Sequence, residues 1–202
     1  MEVMTKTQLI EEALSDAISY QDYRALTEKH ALEGTNTGQE ITDALANYTL
    51  LNHKRMKRLD KTLKISPEMR QQVENYDRKV TWLVLTESWC GDAAQTMPMM
   101  QKFADLNKSI DFKVILRDEH LELMDEFLYN GGRSIPKLIA IDTTTREVIG
   151  NWGPRPSQAT QLVDDYKRTH GSLTPEFKED LQVWYNKDKG QNTARDLIKL
   201  LK

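Results

Sequence analysis

One residue in this chain pairs nucleophilic chemistry with a position where folds put reactive groups. Cys90 is the single cysteine, set in Glu87-Ser88-Trp89-Cys90-Gly91-Asp92-Ala93. Before it runs Val80 to Thr86, short, apolar and β-branched, which predicts a strand covered on both faces. After it, Ala94, Met97, Met100, Phe103, Ala104 and Leu106 recur at helical spacing. A strand handing over to a helix is where α/β folds collect ligands. A thiol there faces unpaired N–H groups and the positive end of the helix dipole, which favour the thiolate. Asp92 opposes this, because a carboxylate two residues away repels a thiolate. Free cysteines are also among the most buried residues. The neighbours Trp89 and Gly91 favour reading Cys90 as an accessible, reactive thiol.

The other residues with chemical potential form weaker patterns. His30, His53, His120 and His170 show no metal-ligand spacing with one another or with Cys90, so neither metal nor cofactor is expected. A protease-like pairing of Cys90 with His120 or His170 lacks any supporting oxyanion motif. Met97, Met99 and Met100 read as core and groove lining. His53, Lys54, Arg55, Lys57, Arg58, Lys61 and Lys64 carry six formal positive charges against only Asp60. The default for such a stretch is a solvated helix face, and the functional alternative is docking of an anionic partner on 53–64.

Composition narrows the classes. Lys and Arg total 28 against 31 Asp and Glu in 202 residues, a net charge of −3, which excludes the basic footprint of a general nucleic-acid binder. No run of about 18 apolar residues exists, so no membrane span is expected. Met1 to Lys6 lacks a continuous apolar core, so no secretory signal is expected either. A single cysteine forbids an internal disulfide and points to a reducing, cytoplasmic setting.

The elements that must position Cys90 lie between two helical ends. Leu9, Ile10, Ala13, Leu14, Ala17 and Ile18 predict a first helix. Tyr23, Leu26 and Leu32 predict a second, and Ile41, Leu45, Tyr48, Asn52, Met56, Leu59 and Leu63 a third with a mostly apolar stripe. Ser66-Pro67-Glu68 and Thr174-Pro175-Glu176 read as helix starts, each with a hydroxyl cap and proline in the first turn. In the middle, Phe112 to Leu116 predicts a second strand, Leu121 to Leu128 a helix, Lys137 to Ile141 and Glu147 to Trp152 a hairpin, and Ala159 to Tyr166 a last helix. The resulting β-α-β-α-β-β-α order implies a mixed α/β sheet with helices on both faces. The division expected is a helical extension over 1–77, the α/β unit over 78–169 and a second helical extension over 170–202.

At this point the chain resembles the thioredoxin fold. Trp89-Cys90-Gly91 ends a strand as the family's Trp-Cys-Gly motif does, and Pro98 stands where the family's helix carries its kinking proline. Ser134-Ile135-Pro136 precedes a strand like the family's cis-proline segment, and Gly150 or Gly153 fits the glycine near the sheet's end. The resemblance implies a thioredoxin-like domain in which Cys90 is the reacting residue and Trp89, Gly91, Asp92, Ile135 and Pro136 meet the substrate. It also implies that Pro136 is a cis-proline beside Cys90, leaving the Ile135 backbone to pair with an extended peptide. Arg133 and Lys137 flank that segment, as charges for a carboxylate-bearing thiol or as solvated surface.

Two departures shape the function expected. Ala93 occupies the place of the family's second cysteine, and Val84 the place of its buried aspartate. Losing both is consistent, since an acid with no thiol proton to move would only cost desolvation. Dithiol reduction is therefore excluded. What remains is single-cysteine thiol–disulfide exchange through Cys90, with a low-molecular-weight thiol or protein disulfide as substrate and an external thiol to resolve it. The competing expectation is a non-catalytic peptide- or protein-binding module using the same groove. A third, a cluster-binding dimer completed by an exogenous thiol, lacks glutathione-binding residues.

Overall fold

A computed structural model describes residues 4–201; Met1 to Val3, where a leader would start, lie outside the described residues. Its centre is β2 (Val80–Thr86), buried at every residue. The β-branched run fits because strands pack both its edges: β3 (Ile110–Leu116) is parallel to it and β4 (Lys137–Asp142) antiparallel. β5 (Val148–Trp152) closes the hairpin with β4, and β1 (Ile18–Ser19) lies antiparallel on the outer edge of β3. The order is β1-β3-β2-β4-β5, a mixed sheet of the expected class.

Helices surround the sheet. α1 (Lys6–Asp16), α2 (Tyr20–Glu33), α3 (Asp43–Thr62) and α4 (Pro67–Glu74) precede β2. α5 (Gly91–Leu106) follows Cys90, a 3-10 turn (Arg117–Glu119) follows β3, and α6 (Leu121–Asp125) comes before β4. α7 (Ser157–His170), α8 (Pro175–Asp188) and α9 (Gln191–Lys199) end the chain. Ser66 and Thr174 cap α4 and α8 through the N–H groups of Met69 and Phe177, with proline in each first turn. One apolar core joins Ile10, Tyr23 and Met56 from the N-terminal helices, Trp82 and Phe103 from the sheet and α5, and Leu197 from α9. A smaller cluster of Ala159, Val163, Leu181 and Tyr185 fixes α8 to α7. None of the helices among the described residues is long and apolar enough to cross a membrane.

Three expectations are corrected. Ile18 belongs to no helix: α1 ends at Asp16, Ala17 is extended, and Ile18 pairs with Val114. The open edge of β3 offers ladder hydrogen bonds there, and Ser19 caps α2 through the Asp22 N–H. The helix after β3 stops at Asp125 instead of reaching Leu128: the Glu126 and Phe127 N–H groups close it with tight bonds to the Leu123 and Met124 carbonyls. The expected faces of α2 and α3 are buried only in part: Tyr23, Met56, Leu59 and Leu63 lie inside as expected, but the upper ends of the stripes do not. Leu32, Ile41 and Tyr48 are exposed, while Thr27, Thr49 and Asn52 are buried. What a helix meets selects its buried face, and where these helices meet the polar loop before Cys90 their buried residues are polar.

Candidate functional site

The loop between β2 and α5 holds Cys90 at the N-cap of α5, with Sγ accepting from the Ala93 N–H at 3.4 Å. The Ile135–Pro136 bond is cis. Across it, the Cys90 thiol donates to the Ile135 carbonyl at 3.3 Å. Gly153 packs on the other side of this segment: at φ +116° it lies so near that a Cβ would sit 2.1 Å from the Pro136 carbonyl oxygen. Gly153 is thus the glycine that the proline loop requires, and not Gly150. Ala93 and Val84, in the places of the missing thiol and acid, are fully buried.

The N-terminal helices clamp the residues before Cys90. Thr37 donates its hydroxyl to the Glu87 carboxylate and accepts from the Ser88 N–H at 2.8 Å. The Thr37 N–H in turn donates to Ser88 Oγ at 3.0 Å, and Thr49 shares a 2.8 Å hydrogen bond with that hydroxyl. Asn52 donates to the Ser88 carbonyl at 2.9 Å, and Tyr23 to the Glu87 carbonyl at 3.2 Å. The Trp89 indole donates to the Thr37 carbonyl at 3.1 Å, with the Arg117 guanidinium 5.1 Å from its ring centre. Glu87 also accepts the Asp118 N–H at 2.9 Å. Burial nevertheless pushes its carboxyl above the ordinary carboxylate range.

The C-terminal helices hold the residues after it. Asp92 pairs with Arg155 at 2.9 Å and accepts the Tyr185 hydroxyl at 2.8 Å. Gln95 donates to Gln182 of α8 at 2.9 Å, and a Cβ on Gly91 would lie 3.6 Å from an Arg55 nitrogen. Burial raises the Asp92 carboxyl despite Arg155.

Between these clamps Cys90 is 6% exposed. Its thiol is pushed up to about 12, first by burial and then by Asp92, against the smaller pull of the Ala93 N–H. The accessible thiol expected from the sequence is therefore absent: desolvation outweighs the helix terminus. Trp89, Gly91 and Asp92 are half-buried, and Ile135 and Pro136 are buried beside Cys90. The flanking cations differ from those expected. Arg133 pairs with Asp125 at 2.6 and 2.7 Å, and Lys137 is 5% exposed with its ammonium pushed down by burial. Arg155, Arg55 and Arg117 are the cations near the motif. Sequence reasoning named Arg55 only within the basic 53–64 stretch and missed Arg155 and Arg117, together with Thr37, Thr49 and Tyr185. Asn52 was visible as a polar residue inside an apolar stripe. No cluster of three or more His, Cys, Asp or Glu side chains among the described residues is placed to hold a metal.

A protein-family model described as Thioredoxin matches residues 38–167. No curated protein matches the chain. Among solved structures, a Pseudomonas aeruginosa protein of unknown function superposes with a TM-score of 0.59 at 15% identity, covering 74% of this chain and 83% of its own. An HIV epitope-scaffold gives a TM-score of 0.59 at 14% identity, covering 91% and 97%. These likenesses carry the fold alone. With the family model spanning well over half of its residues, and with Cys90 at a helix start facing a cis-proline, the chain belongs to the thioredoxin family.

Proposed function

We propose that this chain is a thioredoxin-fold binding module for an extended peptide or protein segment at Trp89, Ile135 and Pro136, and that Cys90 does no thiol turnover in the resting state. The observation carrying this reading is the thiol: buried, neutral, and hydrogen-bonded to the Ile135 carbonyl. A thiol near 12 ionises at pH 8 in about one molecule in 10⁴, whereas a free cysteine near 8.5 is ionised in roughly a quarter. The second reading, single-cysteine exchange resolved by an external thiol, draws support from Sγ lying at the start of α5 against the Ala93 N–H. It requires a clamp to open before Cys90 can attack a disulfide. Alkylation separates the two. Native Cys90 should react with iodoacetamide at pH 8 on the order of a thousandfold more slowly than in the urea-unfolded chain. A native rate equal to or above the unfolded one would establish a reactive thiol and remove the binding-only reading.

A further inference from the structure

Most of the basic run is solvated as expected, with Lys54, Lys57, Arg58, Lys61 and Lys64 exposed, and only His53 and Arg55 are half-buried. Arg55 turns to Asn52 and Arg58 to Asn186 of α8. His53 and Lys57 instead line a cleft of about 500 Å³ between α2, α3 and α5, which Cys90 does not reach. We propose that this cleft binds a small molecule through an oxyanion group, phosphate or carboxylate.

Unused hydrogen-bonding capacity carries the argument. Arg24 gives its Nε to Asp60 at 3.0 Å, leaving Nη1 buried without a partner. His53 Nδ1 is likewise buried and unpartnered, and Lys57 makes no hydrogen bond or ion pair among the described residues. A buried guanidinium N–H without an acceptor is rare and costs free energy until something satisfies it; with Nε2 turned to Glu28, neutral His53 carries a lone pair on Nδ1 and donates there only as the imidazolium. The carboxylates of the cleft are mostly engaged. Asp60 also takes the Tyr20 hydroxyl at 2.7 Å, Asp105 accepts from Gln101 at 2.7 Å, and Glu28 faces His53 Nε2 at 3.7 Å. Lys102 closes the wall, its ammonium donating to the Asp60 carbonyl at 3.0 Å. What stays unpaired along the cleft, among the described residues, is the Arg24 guanidinium nitrogen and the Lys57 ammonium. Tyr20, Ala25 and Pro98 add apolar surface for the body of a ligand.

His53 makes the site readable. Burial lowers its basicity, Arg24, Lys57 and Lys54 lower it further, and Glu28 alone opposes them. Lys102 and Asp105 complete the charges supplied by α5. An anion placed against Nδ1 favours the imidazolium, so the His53 pKa rises on binding.

The test is titration of the full-length chain with pyrophosphate or citrate, against sodium chloride at matched ionic strength, following the His53 ring resonance and the heat of binding. Saturable binding with Kd below about 1 mM is expected for one of the two, with an upward shift of the His53 titration. Pyrophosphate binding more tightly assigns a phosphate, and citrate binding more tightly a carboxylate. Lys57→Gln, an exposed change that leaves the Asp60 network intact, should weaken binding tenfold or more. A Lys54→Gln/Lys61→Gln variant should not. Absence of saturable binding by either probe, or dependence on Lys54 and Lys61 instead of Lys57, would overturn the assignment. Arg24→Gln also breaks the pair with Asp60 and is therefore not the deciding variant.

Discussion

Two carboxylates bracket the cysteine, Glu87 buried and Asp92 half-buried, and they are held by opposite means. Glu87, three residues before Cys90, is gripped by neutral donors, the Thr37 hydroxyl and the Asp118 N–H. Asp92, two residues after it, is gripped by the Arg155 guanidinium and the Tyr185 phenol. Burial raises both. The difference lies in what each tie fastens. Glu87 joins the loop between α2 and α3 to the motif, so it sets shape. Asp92 joins α8 and the Gly153–Pro154 turn to the first turn of α5, so it sets both shape and the charge beside Sγ. A carboxylate with a cationic partner costs most when removed, because removal strands the partner. One held by neutral donors is a burden that an amide can relieve.

The largest expected effect is at Asp92. Asp92→Asn leaves the largely buried Arg155 without its counter-charge, and Arg155 Nε already lacks a partner. The cost should be about 3 kcal/mol in urea unfolding at pH 7. The same change removes the second cause of the raised Cys90 pKa, so native alkylation should accelerate even as stability falls. Burial remains, and the rate should stay below that of the unfolded chain. A variant that loses stability with no change in alkylation would show that Asp92 does not reach Sγ electrostatically.

Much of this geometry is legible in the sequence, and the reasons for the remainder are specific. β2, the start of α5 and the Ile135–Pro136 segment follow from β-branched runs, a helical period and two short motifs, all of them local signals. The caps at Ser66 and Thr174 follow for the same reason. The clamps do not, because Thr37 and Tyr185 lie 51 and 93 residues from the groups they hold. Nothing in a threonine between two glycines announces a buried carboxylate as its partner. The exposure of Cys90 fails similarly: the local argument about a helix N-terminus is sound, but α2, α3 and α8 supply the desolvation. Ile18 shows the limit of periodicity, since a helix-compatible residue was claimed by a strand edge nearly 100 positions away.

A smaller effect separates shape from charge on the N-terminal side. Ser88 Oγ accepts the Thr37 N–H and shares a hydrogen bond with Thr49, all of it buried. Thr49→Val keeps the volume and deletes the hydroxyl, leaving one Ser88 hydrogen bond unmade at about 1 kcal/mol. Thr49→Ser keeps the hydroxyl and loses a methyl group from a buried site, for a similar cost by a different route. Cys90 alkylation measured under native conditions should be unchanged in both. Faster alkylation in Thr49→Val alone would mean that this hydrogen bond guards access to the thiol, and the division between the two sides would not hold.

The smallest change in stability, with the most informative pH dependence, belongs to Glu87→Gln. The amide can accept the Asp118 N–H through Oε1 and donate to Thr37 Oγ1 through Nε2, which removes the desolvation penalty of a charge while reversing the Thr37 bond, so the Thr37 hydroxyl proton loses its acceptor. At pH 7 the variant should lie within about 1 kcal/mol of wild type, since the relieved desolvation offsets the lost Thr37 acceptor. The sign follows from linkage. The folded-state pKa of Glu87 lies above its ordinary 4.5, so between the two values the native chain holds a proton that the unfolded chain has released. The stability this group contributes is present at and below the ordinary value and is lost as pH rises through the folded one. Asp125 and Asp142 shift downward and act in the opposite sense, but both are present in each protein and cancel in the difference. Wild type minus Glu87→Gln, from urea unfolding at a series of pH values between 4 and 8, should therefore decline with rising pH and then level off. A difference that grows with pH would show Glu87 held as a stabilised carboxylate. The two acids beside Cys90 would then work in the same way, and neutral donors would suffice to bury a charge here.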